Sequence, residues 1–429
     1  DETRTAVKTR KTMDDRVYDA LIVGGGPAGA TAAILLAKAG WRIGVVEKKP
    51  FPRRKVCGEF VSATSWPLLR ELGVAESLMA QAGPEIRQVG LYAGQTVLAA
   101  EMPSPRDGSE AWGRALGREH LDSLLLARAA EAGADVIQPW TVSRVAGRAG
   151  GHVCSAVAKE KEAYGGEPAA IDLRARIIIA AHGSWEPGPM PTQSPRHPSH
   201  ASDLFAFKAH FRDGGLPLGL MPLLIFPGGY GGMVQTDGGR VSLSCCIRRD
   251  ALERCRRKSG NARASEAVFA HIQASCRGVR EALSGARLDG PWLSAGPIRP
   301  GIRPFRRERF FTVGNVAGEA HPIVAEGISM AIQSASLLCE HLVARKEAAL
   351  AADASKALRA IGRDYERAWR KNFATRIHAA ALFAQLAMRP VTSKLVVALL
   401  KRAPPILTLG AQWSGKAQPL RSLVNVDAG

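Results

Sequence analysis

The sequence predicts an α/β protein: a Rossmann-like βαβ unit interleaved with a mostly antiparallel β-sheet domain and followed by a helical C-terminal region. Three observations carry this. "YDALIV" (18–23) runs straight into "GGGPAGATAAILLAKAG" (24–40), and "WRIGVVE" (41–47) follows at once. Further on, the strand-like runs "LFAFKAHF" (204–211), "LLIFPGG" (223–229) and "RVSLSCCI" (240–247) alternate with Gly-rich turns, Asp237-Gly238-Gly239 being hairpin-forming. From about residue 346 apolar positions recur at helical spacing up to Pro390.

The first unit has the layout of a dinucleotide-binding fingerprint. Gly24, Gly26 and Gly29 occupy the GxGxxG places, Pro27 and Ala28 open the helix between them, and the second strand ends in Glu47. Gly24 permits the tight turn, Gly26 lets the backbone approach a pyrophosphate, and Gly29 lets helix pack on sheet. An acidic strand end accepts ribose hydroxyls and disfavours a 2′-phosphate, so the ligand expected here is FAD or NAD rather than NADP.

Composition sets outer limits. The chain has 429 residues, 46% of them hydrophobic, enough for two or three interleaved units. No apolar run reaches the ~18–20 residues that span a bilayer, and the N-terminal stretch lacks a secretory apolar segment, so a cytoplasmic protein is expected. Residues 1–15 are expected to form a disordered tail, with Met13 at or near the natural start. Seven cysteines without CxxC spacing suggest reduced thiols, Cys245 and Cys246 buried in a strand. Net charge is +19, with clusters at Arg248, Arg249, Arg254, Arg256, Arg257 and Lys258 and at Arg299, Arg303, Arg306, Arg307 and Arg309. A solvated basic face, an anionic membrane surface or an acidic carrier protein each account for that surplus; no nucleic-acid-binding pattern accompanies it.

"FFTVGNVAGEAHPIVAEGISMAI" (310–332) holds Glu319, His321 and Glu326 close together. A metal site needs ligands converging from firm elements, but Pro322 and three glycines break any helix before Ile328. The reading adopted is an apolar strand, a Gly-rich loop and a helix opening at about Gly327, whose N–H groups favour a negative ligand.

Together these stretches resemble the FAD-dependent oxidoreductases of the geranylgeranyl reductase family, relatives of the p-hydroxybenzoate hydroxylase-type flavoprotein monooxygenases. "PRRKVCG" (52–58), "GREHLD" (117–122) and "VGNVAGEAHPIVAEGI" (313–328) carry the likeness, which runs from about residue 17 to 345; "YERAWRKNF" (365–373) looks like the family's next helix. The resemblance implies FAD as cofactor in a fold of the second glutathione-reductase type. It places Lys48, Arg54, Lys55, Cys57, Arg118 and Val142 at the cofactor, Asn315 at the ribityl chain, Pro322 near the isoalloxazine, and Gly327 and Ile328 at flavin N1 and O2. The implied FAD-binding domain comprises 16–60, 110–185 and 296–345, and the substrate domain 61–109 and 186–295, its sheet covering one flavin face. The helical region is 346–429.

Asn315 stands where the family has Asp, and can still bond hydroxyls. His182-Gly183 replaces the family's Asp-Gly, which leaves NADPH or NADH open as electron donor. His321 is the candidate for proton transfer, and Cys57 the second catalytic candidate. Trp66, Trp112, Trp185 and Tyr230 are available to line a cavity. In "SKLVVALLKRAPPILTLG" (393–410), basic residues around Leu395, Val396, Leu399 and Leu400 suit either a cover over the cavity or an interfacial segment, and both favour a hydrophobic substrate. The expected function is oxidoreduction of a lipid-, isoprenoid- or polyketide-like molecule. The alternatives are an oxygen-using aromatic or polyketide hydroxylase and a non-catalytic FAD-bearing adaptor. No WxWxIP motif occurs, which speaks against the tryptophan-halogenase branch, and no GxSxG supports a hydrolase.

Overall fold

The strand Val17–Val23 is closed to solvent from Tyr18 onward, as its apolar run demands, and all its neighbours run parallel to it. Ile43–Val46 lies on one side and Ala170–Ala180 on the other, with Asp135–Ile137 and Phe310–Thr312 beyond them. Counted along the chain, the parallel strands stand in the order third, second, first, fourth, fifth, the arrangement of a Rossmann sheet. Trp140–Arg148 and Gly151–Ala158 extend it as an antiparallel meander onto Ala170–Ala180. This computed structural model describes residues 16–104, 112–158, 169–183, 188, 190–193, 198–305 and 309–416. The expected tail 1–15, Trp185, Arg306 and Arg307 lie outside the described residues.

Alternate residues of each strand point to opposite faces, and they feed two cores. Ile22, Val45, Ile177 and Ile179 meet the helices Pro27–Lys38, Arg118–Glu131 and Gly327–Val343. Leu21, Val23, Val46 and Ile178 pack beneath the meander. Helices Trp66–Leu72 and Ala75–Gln81, expected with the substrate domain, bury Trp66, Leu69, Leu72 and Leu78 in the nucleotide-binding core. The boundary drawn at residue 61 is thereby corrected to fall after these helices, because the apolar faces that they must cover belong to the first core.

The second sheet has eight strands and is antiparallel except where Leu220–Phe226 pairs with Gln88–Ala93. Gly229–Gln235 and Val241–Arg248 form the expected hairpin, closed by Asp237–Gly239 with Gly238 and Gly239 at positive φ. One face packs on the helices between Arg249 and Ala282. The other presents Leu91, Ile225, Tyr230 and Cys246 toward Ile323 and the C-terminal helices Ser355–Met388 and Pro390–Arg402. Those helices therefore roof the region where the two sheets meet. No single helix among the described residues is long and apolar enough to cross a membrane.

Candidate functional site

The first loop is shaped by what glycine leaves out. Gly24 has φ +109°, and a Cβ there would lie 2.6 Å from Ala181 O; one on Gly29 would lie 1.8 Å from Gly24 O. Around Gly26 the ground is open, the nearest atom to an added Cβ being Arg118 Nη2 at 3.8 Å. Pro27 and Ala28 are buried at the start of the helix. Glu47 closes the unit: its carboxylate accepts the N–H of Gly25 at 2.8 Å and of Lys49 at 2.9 Å.

Cations gather in front of this loop. Arg118 is buried and held by Asp122 in a two-pronged pair of 2.7 and 2.8 Å, while its own N–H donates to Glu59. Burial alone would lower the Arg118 pKa, but the Asp122 carboxylate and the Cys57 sulfur keep it raised. Lys55 is pushed down to about 8 by burial, with Arg118 and Arg53 adding repulsion, and burial also lowers Lys48. His182, immediately after the fourth parallel strand, bonds Thr192 Oγ1 at 2.7 Å; burial lowers its pKa to about 4, helped by Lys48, Arg303 and Lys55, and keeps it neutral.

Two expected cofactor residues are corrected. Arg54 turns away from the cation group, bonding the Asp289 carbonyl and pairing with Glu119 at 3.4 Å and the Asp289 carboxylate at 3.3 Å. Its guanidinium is spent between the domains. Val142 is buried among Tyr18, Val46 and Ile137, so its side chain is a core element, and its strand position pairs with Ala156; Trp140, two residues before it, donates its N–H to Glu47 O.

The second loop answers the first across the helix pair. Gly314 packs against Ala28 and donates its N–H to Ser334 Oγ at 3.1 Å. The Asn315 carbonyl accepts from Arg303 at 2.7 Å. Pro322 and Gly327 are exposed, Ile328 is buried, and nothing lies within 4 Å of a Cβ built on Gly327. The three residues that invited a metal reading diverge: Glu319 pairs with Arg303 at 3.4 Å, Glu326 is buried at the helix start, and His321 faces Tyr230.

The Tyr230–His321 pair joins the two domains. Tyr230 Oη lies 3.1 Å from His321 Nδ1. Burial raises the Tyr230 pKa well above its usual value, with Cys246 and Glu319 adding to it, and lowers His321 to about 4. Cys57 is half-buried, its sulfur accepting the Glu59 N–H at 3.4 Å. Trp66 and Trp112 lie away from this pair, bonded to each other through Trp66 Nε1.

Sequence reasoning missed Glu59, Lys208 and His210. Glu59 follows Cys57-Gly58 in a left-handed conformation (φ 62°) and takes contacts from both other side chains, all three closed to solvent. The available signal was Lys208 and His210 at alternate positions of an otherwise apolar strand, which puts two polar groups on one buried face.

The residues fit FAD: open backbone at Gly26 and Gly327, cations beside the first of these, and a carboxylate at the strand end. The chain matches the FAD binding domain family over residues 17–195. It is 25% identical to conditioned medium factor receptor 1 of Dictyostelium discoideum over 76% of this chain and 63% of that one. It is 34% identical to digeranylgeranylglycerophospholipid reductase of Thermoplasma acidophilum over 39% of each chain. It is also 30% identical to a 1H-pyrrole-2-carbonyl peptidyl-carrier-protein chlorinase of Pseudomonas fluorescens over 40% of each. The chain thus spans less than two thirds of the length of these relatives. Among solved structures, a flavin-dependent brominase superposes with TM-score 0.71 at 18% identity, covering 94% of both chains. A geranylgeranyl bacteriochlorophyll reductase-like protein of Thermoplasma acidophilum superposes with 0.64 at 19%, covering 96% of this chain and 94% of that one. Fold and loops together define an FAD-binding flavoprotein. Within that class the chain is similar, over 39% of its length, to digeranylgeranylglycerophospholipid reductase, a likeness to FAD-dependent oxidoreductases that its loop motifs share.

Proposed function

We propose that this protein reduces a hydrophobic substrate of isoprenoid, other lipid or polyketide type. The observation that carries the reading is the apolar sheet face of Leu91, Ile225, Tyr230 and Cys246 meeting His321 and Ile323, on the turn that leads into the open helix start at Gly327. Gly24, Gly26, Gly29, Glu47, Lys48, Lys55 and Arg118 would hold the cofactor's dinucleotide half, and Asn315, Pro322, Gly327 and Ile328 its ring half. Bound FAD supplies two-electron chemistry that no side chain can perform.

The chain's own residues exclude water and move a proton. Tyr230 Oη stands within hydrogen-bond reach of His321 Nδ1 and beside Cys246; with its O–H directed at Nδ1, the imidazole proton sits on Nε2. Donation of the Nε2 proton outward would be matched by transfer of the Tyr230 proton to Nδ1, and a solvent proton arriving at Nε2 would restore both groups. The helix start at Gly327 favours negative charge beside it. His182, neutral among cations, stands where a carboxylate would assist a nicotinamide, so the electron donor under this reading need not be NADPH or NADH.

A second reading is favoured by the halogenase and brominase likenesses: oxygen-dependent modification of a carrier-bound or aromatic substrate. Anaerobic reduction of the FAD-loaded protein, followed by an isoprenoid quinone or polyprenyl lipid, separates the two. Reoxidation without oxygen, yielding reduced lipid, supports the reductase. Reoxidation by oxygen alone, with oxygen or halogen appearing in an aromatic product, sinks it.

A further inference from the structure

Seven of the twelve large apolar side chains exposed among the described residues fall between Leu382 and Trp413. The helix Pro390–Arg402 is apolar on two sides. Val396, Val397 and Leu400 pack inward beneath the substrate sheet. Val391, Leu395 and Leu399, spaced i, i+4 and i+8, form an outward stripe with exposures of 73%, 66% and 54%. Leu382 and Phe383 continue the exposure on the preceding helix, which meets this one at 104°, and Trp413 does so beyond it at 71%.

The charged side chains along this segment are of one sign, the exposed Glu101 lying on the neighbouring strand Thr96–Glu101. Arg389, Lys394, Lys401 and Arg402 are exposed beside it, and no Asp or Glu occurs between Glu366 and Asp427. A second copy of this chain would bring the same basic rim against itself. An apolar stripe with cationic flanks matches a surface that offers hydrocarbon below and negative charge above. We propose that the outer face of Pro390–Arg402, with Leu382, Phe383 and Trp413, seats on an anionic phospholipid bilayer. The inner face of the same helix roofs the site, so seating sets the roof against the lipid phase.

The test uses the full FAD-loaded protein and flotation with vesicles of phosphatidylcholine alone or with about 30 mol% phosphatidylglycerol. The anionic vesicles are expected to carry the protein up, about tenfold more strongly than neutral ones. Leu395→Asp with Leu399→Asp is expected to lower flotation about tenfold or more, the flavin spectrum and melting temperature staying as in the parent. Lys394→Glu with Lys401→Glu is expected to remove the preference for anionic vesicles. A parent protein that stays unbound, or a Leu395→Asp/Leu399→Asp variant that floats equally well, overturns the proposal. So does a lipid-free dimer dispersed by Leu395→Asp, which would assign the stripe to a second copy. None of these readouts involves turnover, so they stand or fall apart from the proposed reaction.

Discussion

His210 Nε2 lies 2.8 Å from Glu59 Oε2, with neither side chain reaching solvent, and Lys208 contacts the other carboxylate oxygen. A loop residue of the nucleotide-binding domain is thus held by two residues of the substrate sheet. Burial works against the charge, yet the His210 and Lys208 contacts hold the Glu59 pKa down at about 2. A carboxylate depressed below its usual 4.5 contributes stability that is complete above that value and disappears as pH falls toward 2. Unfolding followed between pH 6 and 2.5 should show the loss concentrated below about 4.5. Glu59→Ala, which strands the buried Lys208 and leaves His210 Nε2 without its partner, should cost about 3–5 kcal/mol at neutral pH. An acid-stability profile identical in parent and Glu59→Gln would contradict the assignment.

The glycines of the first loop should fail in different ways. Gly29→Ala puts a Cβ 1.8 Å from Gly24 O, so helix and turn must separate and the fold should suffer. Gly26→Val meets little protein but fills ground needed for a pyrophosphate. It should keep the circular dichroism and melting of the apoprotein while weakening FAD by about 100-fold or more. Fluorescence titration with FAD beside apoprotein melting curves reads both; equal loss of fold in the two variants would refute the distinction.

Ala325 sits at φ 53°, ψ 32° at the end of the turn before helix Gly327–Val343, where a β-carbon is disfavoured. Ala325→Gly should leave stability unchanged or raise it by up to about 1 kcal/mol. Ala325→Val should lower it by more than about 1 kcal/mol, because branching is least compatible with this region. Denaturant midpoints decide, and a Val variant as stable as the Gly variant would show that the turn relaxes freely.

What the sequence made legible follows the range of the interactions. Gly24 to Glu47 lie within one βαβ unit, so spacing alone places them, and the strand, loop and helix start around Gly314 and Gly327 are equally local. Helices Trp66–Leu72 and Ala75–Gln81 show an apolar face in the pattern, but the pattern does not say which core that face meets. Arg54 and Lys55 are adjacent members of one basic run; only Asp289 and Glu119, distant in the chain, reveal that the first turns away. The Glu59 cluster spans 151 positions, and a pattern read along the chain has no means of pairing its ends.

The Tyr230–His321 hydrogen bond carries the last expectation. Burial lowers the His321 pKa to about 4, so the unfolded chain binds the more protons between its usual 6.5 and 4, and this group's contribution to stability is lost as pH falls through that window. Above 6.5 the imidazole is neutral and its proton depends on the Tyr230 bond. Tyr230→Phe keeps the ring in its buried place but removes the partner of Nδ1 and the link to Cys246. If the pair moves a proton, this variant should keep FAD affinity and substrate KM near parental values while kcat falls about 10- to 100-fold. His321→Gln should fall at least as far, and the double variant no further than the worse single, since the two act as one relay. A solvent-deuterium effect on kcat should shrink in both, and parental turnover in Tyr230→Phe would reduce the bond to a structural contact between the domains.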